Sequence, residues 1–274
     1  MDYIEVKFTN PVELNEIILA FLSDSDYEMF EENEQGMNAY IQQEKYTESD
    51  LISLLSAIPN HEKINYEIAV IEGKNWNKEW ESNFSPVDIN DTVFIRAPFH
   101  PANDHYKHEI IIEPKMSFGT GHHPTTTLMI QLMLENNFKN RSVLDMGCGS
   151  GILAILASQL GANTILAVDF DQWAYENTIE NCERNNAKEI EVLKGNVNAI
   201  IGKKFDFILA NINRNILLSD TFQYASCLNE HGILMQSGFL IEDEKLLIEN
   251  ANNFGLNHIT SVHKEKWSAM TFQL

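Results

Sequence analysis

The sequence predicts an α/β protein: a parallel sheet covered by helices on both faces and closed by an antiparallel pair, preceded by a small α+β domain. Three observations carry this. From Arg141 onward, short β-rich runs alternate regularly with helical ones. The final stretch "NHITSVHKEKWSAMTFQL" holds two strand-like runs with too little between them for a crossover helix, so that pair must be antiparallel. The first seventy or so residues run in the order β-α-β-β-α-β.

In the first domain, Ile4, Val6 and Phe8 alternate with polar residues as in a half-buried strand. "NPVELNEIILAFL" then predicts a helix, with Asn10 as N-cap, Pro11 at the first helical position and Glu13 closing a capping-box-like pattern. "YEMFEEN" and "MNAYIQQE" flank Gln35-Gly36 as a hairpin. Thr47 caps "ESDLISLLSAI", which Pro59 ends, and "INYEIAVIE" is the last strand. The order is that of a ferredoxin-like domain over residues 1–72. A linker helix is expected over 73–90, where Trp76, Trp80 and Phe84 form a stripe at helical spacing that suits packing. The remainder, 91–274, opens with the strands "DTVFIRAPF" and "HEIIIEP". The strands of the main sheet are "SVLDMG", "TILAVDF", "EIEVLKG", "FDFILANI" and "GILMQSG". Helices such as "ILAILASQLG" and "QWAYENTIENCERNNA" lie between them.

Hydrophobic residues make up 44% of the 274, enough for a sizeable core and against wholesale disorder. No apolar run approaches the roughly 20 residues that cross a bilayer, and "MDYIEVKFTN" lacks the layout of a secretory signal. Cys148, Cys182 and Cys227 are few, scattered and odd in number, which argues against a disulfide framework or a cysteine zinc site and for a reducing cytoplasm. Nineteen basic against forty acidic residues give a net charge of −21, and residues 1–60 hold thirteen Asp/Glu but two Lys. Such a surface repels nucleic acid and anionic membranes and attracts basic partners. Acidity can serve solubility alone; its skew to one end favours a docking role.

"VLDMGCGSGILAI" places Gly147, Gly149 and Gly151 between a buried strand and a helix, where the backbone can approach a ligand and the helix N-terminus offers N–H groups. Asp169 follows at the end of the next strand, where a carboxylate accepts from ribose hydroxyls. A nucleoside cofactor follows from this pair. A dinucleotide loop would read G-x-G-x-x-G, whereas this one reads G-x-G-x-G, and the Gly-Lys-Ser/Thr of a P-loop is missing. Asp145, two residues before the loop, is expected to face the site, where it suits an ammonium better than a pyrophosphate. The residues thus favour S-adenosylmethionine.

"LDMGCGSG" and "VDFD" resemble the class I S-adenosylmethionine-dependent methyltransferases, whose Rossmann-like sheet ends in an antiparallel hairpin. "NWNKEWESNFSPV", "FGTGHHPTT", "GCGSGILAI" and "ANIN" occur in the order seen in the ribosomal protein L-eleven methyltransferases, a likeness spanning nearly the whole chain. The resemblance implies four cofactor-binding residues: Thr126, Gly147, Asp169 and Asn211. Ser117 and Asn213-Arg214 depart from the family's usual residues.

In "FGTGHHPTTT", His122 and His123 are adjacent, so their side chains diverge and cannot chelate one ion; no metal is expected. Pro124 starts a helix, which lays the loop over the cofactor with Thr126 near its methionine end. The implied activity is methylation of the α-amine and lysine side chains of ribosomal protein L-eleven, a basic partner met free or on the ribosome. No residue stands out as a catalytic base. The side-chain oxygens of Asn211 and Thr126 are expected to orient the amine. Two alternatives stand beside this: a methyltransferase acting on another protein, a small molecule or RNA (the acidic surface argues against RNA), and a non-catalytic module that keeps the cofactor pocket.

Overall fold

The computed structural model describes residues 2–23, 25–33, 35–71, 85–114 and 119–274. It divides into two compact units, Met1–Asn83 and Phe84–Leu274.

The first unit has β1 (Tyr3–Thr9), α1 (Asn15–Ser23), β2 (Tyr27–Asn33), β3 (Gly36–Gln42), α2 (Glu48–Ser56) and β4 (Asn65–Ile71). The sheet order is β2-β3-β1-β4, with every neighbouring pair antiparallel. The alternation in β1 sends Ile4, Val6 and Phe8 into a core with Ile18, Leu22, Leu51 and Leu55 from the two helices. Thr47 caps α2, its hydroxyl accepting from the Asp50 N–H at 3.3 Å. The expected capping box at Asn10 is not formed. A 3-10 turn occupies Val12–Leu14 and the α-helix starts only at Asn15. The Asn10 amide instead donates to Asn15 Oδ1 and the Pro11 carbonyl, both at 2.8 Å, because Asn15 competes for it across the turn. Residues 72–84, and with them the aromatic stripe of the expected linker helix, lie outside the described residues. The end of that expected helix is a strand, Val87–Ile89.

The second unit opens with β5 (Val87–Ile89), β6 (Val93–Arg96) and β7 (His108–Ile111), paired in that order. α3 (Pro124–Leu134), β8 (Ser142–Met146), α4 (Ile152–Gln159), β9 (Thr164–Asp169), α5 (Gln172–Arg184) and β10 (Ile190–Lys194) follow. The chain ends with β11 (Phe205–Asn211), α6 (Arg214–Cys227), β12 (Leu228–Leu240), α7 (Glu244–Asn252), β13 (Asn257–Lys264) and β14 (Trp267–Gln273). The seven-stranded sheet has the order β10-β9-β8-β11-β12-β14-β13. It is parallel through β12; β14 then pairs antiparallel with β12, and β13 antiparallel with β14. Its central strands β8, β9 and β11 are near-continuous buried runs because both faces are covered. One face packs residues of α3 and α4 such as Met129, Met133, Ile155 and Leu156; the other packs Leu217, Tyr224 and Leu247 from α6 and α7. Chain direction across the sheet reverses between β9 and β11, on either side of β8. Ligands of open α/β sheets bind at the carboxyl ends of strands flanking such a switch point.

Candidate active site

The glycine loop leaves β8 at that switch point. Gly147, Gly149 and Gly151 have φ of +72°, +57° and +79°, a region closed to most side chains, and Gly151 leads directly into α4. The loop is tied to its neighbours on every side. Gly147 N–H donates to the Val168 carbonyl at 2.8 Å. Gly149 N–H donates to Asp169 Oδ2 at 2.9 Å, and its carbonyl accepts from the Thr178 hydroxyl at 2.9 Å. Asp169 Oδ1 accepts from the Asp171 N–H at 3.0 Å. The Ser150 hydroxyl donates to the Gly119 carbonyl at 2.6 Å, joining this loop to the Gly/His-rich one.

The two histidines of that second loop part company. His122 Nε2 lies 2.8 Å from the Ser85 carbonyl. His123 caps α3, and its ring meets Trp267 edge-on at 4.7 Å. Its Nδ1 accepts from the Thr125 N–H at 3.4 Å, and burial holds its pKa below the usual 6.5, so the ring is neutral at neutral pH.

These elements surround a cavity of about 1040 Å³. Gly147 and Gly149 form its floor, with Asp169, Phe170, Asp171 and Trp173 after β9 on one side. Asn211, Ile212 and Asn213 after β11 stand opposite, continued by Ile216 and Asp220 of α6. His123, Thr125 and Trp267 complete the wall. Among the described residues lining it there is no Lys or Arg, and three carboxylates are present. Such a cavity disfavours a pyrophosphate and suits a ligand carrying positive charge.

Of the four residues expected to bind cofactor, Gly147, Asp169 and Asn211 come together on this wall. Thr126 is fully buried one layer behind it, its Oγ1 3.5 Å from the Asn211 amide nitrogen, and Thr125 takes the place on the wall. Asp145 does not face the cavity. It shares the Val143 side of β8, while Met146 turns to the cavity, and its Oδ2 accepts from the Ala154 N–H of α4 at 3.0 Å. Complete burial pushes its carboxyl up to about 7. The negative charge in the cavity comes instead from Asp169, Asp171 and Asp220. Phe170 and Trp173, 71% and 76% exposed, also belong to the wall; Phe170 lies within the readable "VDFD" stretch and Trp173 two residues beyond it, but an aromatic there carries no sequence signal of its own. Trp267 and Asp220 carry no local signal at all.

A switch-point cavity, a glycine loop clamped by the acid of the next strand, and a sheet ending in an antiparallel pair define a class I methyltransferase. Comparison with known proteins makes this specific. Residues 11–274 match the family model "Ribosomal protein L11 methyltransferase (PrmA)". The chain is 42% identical over 280 residues to the ribosomal protein L11 methyltransferase of Bacteroides fragilis, covering all of both chains. It is equally 42% identical to that of Phocaeicola vulgatus over 278 residues, 99% of each. A crystal structure of ribosomal protein L11 methylase from Lactobacillus delbrueckii subsp. bulgaricus superposes with a TM-score of 0.64 at 28% identity, covering 69% of this chain and 98% of that one. The chain belongs to the ribosomal protein L11 methyltransferase family, whose membership implies S-adenosylmethionine as methyl donor.

Proposed function

We propose that the protein transfers methyl groups from S-adenosylmethionine to amines of ribosomal protein L11: the α-amine and lysine side chains. The observation that carries this is the switch-point cavity, which bears three carboxylates and no Lys or Arg among its described lining residues. Those residues fit the donor. Gly147 and Gly149 put no side chain on the cavity wall, so a donor can approach the backbone closely there. Asp169 retains lone pairs beyond its two backbone partners for ribose hydroxyls, and apolar groups such as Phe170 and Val197 offer a bed for a base. When bound, the donor supplies an electrophilic methyl group on a sulfonium.

The chain's task is then to align and deprotonate an amine. A free α-amine has a pKa of about 7.7–8.0 and lysine about 10.4, so each must lose a proton before attack. The apolar groups around Asn211, namely Met146, Ile212 and Trp267, lower an amine's pKa by desolvation. The Asn211 amide nitrogen points to Thr126, which directs its side-chain oxygen toward the incoming amine. Asn211 and Thr126 act as one positioning pair, and water carries off the proton.

Residues 1–72 are proposed to dock the basic substrate, met free or on the ribosome in the cytoplasm. The sheet face opposite the helices supports this. Tyr40 Oη lies 3.0 Å from Glu5 and 3.2 Å from Glu31, and Tyr3 Oη donates to Glu28 at 2.9 Å. Lys7, 3.4 Å from Glu5, only partly offsets these acids. Incubation with labelled S-adenosylmethionine and purified L11, followed by peptide mapping, tests the assignment. Label is expected on amines, and Asn211→Ala should cut kcat at least tenfold while leaving some donor affinity. Label on carboxylates or RNA, or full turnover by Asn211→Ala, would overturn it.

A further inference from the structure

Two of the three cavity carboxylates have structural employment. Asp169 receives two backbone N–H groups, and Asp171 caps α5 by accepting from the Ala174 N–H at 2.9 Å. Asp220 holds no backbone group. It lies on the face of α6 that also turns Asn213 and Ile216 to the cavity, at the spacing of one helical stripe. Among the described residues its oxygens accept from two neutral hydroxyls, Ser219 at 2.7 Å and the buried Tyr224 at 3.5 Å. Among the described residues no cation pairs with it: Arg214, the one cationic residue of its helix, is committed to Asp243 at 2.6 Å. No lysine or arginine is among the described residues of the facing walls, and burial lowers the pKa of His123.

A carboxylate set among Ile212, Ile216 and Val197 without a counter-ion creates a local negative potential that apolar walls strengthen. The cavity, about 1040 Å³, lies at the upper end of the roughly 300–1000 Å³ usual for a small-ligand pocket. We infer that Asp220 is an acceptor-specificity residue: it ion-pairs with the lysine ammonium of the acceptor as that side chain enters the cavity. This rests on the amine-methylation function above. Asp220 captures the protonated amine; it is not its base, since an ion pair favours the charged form. Proton loss belongs further in, beside Asn211.

Asp220→Asn keeps the shape and the two hydroxyl contacts while deleting the charge. Expected results are a KM for L11 raised about tenfold, a larger change than any in kcat or in S-adenosylmethionine Kd, and recovery of KM in Asp220→Glu. A second measurement titrates a blocked lysine-bearing tetrapeptide into the protein saturated with S-adenosylhomocysteine; Asp220→Asn should weaken its binding about tenfold. An unchanged KM and unchanged peptide binding overturn the inference. So does a parallel loss of donor affinity, which would assign Asp220 to the donor. If wild type fails to methylate L11 yet binds the peptide through Asp220, the substrate assignment falls and the cation site stands.

Discussion

Ile212 follows Asn211 on the cavity wall and sits between two glycines that contact it differently. A Cβ on Gly147 would collide with the Ile212 side-chain methyl Cγ2. A Cβ on Gly238 would collide with the Ile212 carbonyl oxygen and come within 2.7 Å of its carbonyl carbon. Both glycines also have positive φ, +72° and +98°. Gly147→Ala therefore costs about 1–2 kcal/mol in backbone strain plus about 1–3 kcal/mol from overpacking. At 2–4 °C per kcal/mol for a unit of this size, a ~3 kcal/mol loss lowers Tm by roughly 6–12 °C. Gly238→Ala should be at least as harmful, because backbone cannot rotate aside.

The discriminating step is Ile212→Ala, which removes Cγ2 but not the carbonyl. In a double-mutant cycle it should restore about 1–3 kcal/mol to Gly147→Ala, the overpacking share alone, and nothing to Gly238→Ala. Thermal melts supply the stabilities, and calorimetric titration with S-adenosylhomocysteine reports whether Asn211 stays in place. Equal coupling at both glycines, or none at Gly147, would refute the packing described here.

Three further outcomes follow from named groups. Asp145 has its carboxyl raised from 3.8 to about 7, so between those values the folded state holds a proton that the unfolded state lacks. Stability should fall by up to ~4 kcal/mol as pH rises across that window, and urea melts of Asp145→Asn should lack this slope; superimposable slopes would contradict the burial. Asp169→Ala orphans the Gly149 and Asp171 N–H groups, and each such charge-assisted bond contributes about 1.5–3 kcal/mol. Donor affinity measured by calorimetry should drop at least 100-fold, with near-normal binding as the refuting result. Glu5→Lys combined with Glu31→Lys reverses the acidic sheet face; kcat/KM for L11 should fall several-fold at low salt while donor Kd is unchanged, and equal rates would exclude this face from docking.

The parts of the site legible in the sequence are those made by contiguous residues. Gly147, Asp169 and Asn211 sit at strand ends, where a strand-to-helix turn fixes direction locally, and all three reach the cavity. Face assignment inside a strand was not legible. "SVLDM" is buried on both sides, so its apolar run has no polar alternation to mark which side Asp145 takes. The three consecutive threonines 125–127 pose the helical form of the same problem. Successive residues turn by about 100°, and only the packing of α3 decides that Thr125 rather than Thr126 meets the cavity. Asn10 does not cap because its Nδ2 is held by Asn15 Oδ1 and the Pro11 carbonyl, an orientation in which its Oδ1 meets no N–H of the first turn. Trp267 comes from an element remote in sequence, and only the folded sheet delivers it; Asp220 is near Asn211 in sequence, but only the packing of α6 decides which of its faces meets the cavity.

The acidity that marks the composition separates into two physical roles. Charges on an exposed face are screened beyond about 8 Å at physiological salt, so the carboxylates of the first unit act on encounter, and salt should erase the defect of their reversal. Asp220 lies among apolar cavity walls, where a close ion pair is screened much less. The KM defect of Asp220→Asn should therefore persist at high salt. Salt titration of the two variants thus sorts capture of the protein from capture of the amine: a defect at Asp220 that vanished in parallel with the face reversal would mean that both carboxylate sets merely attract.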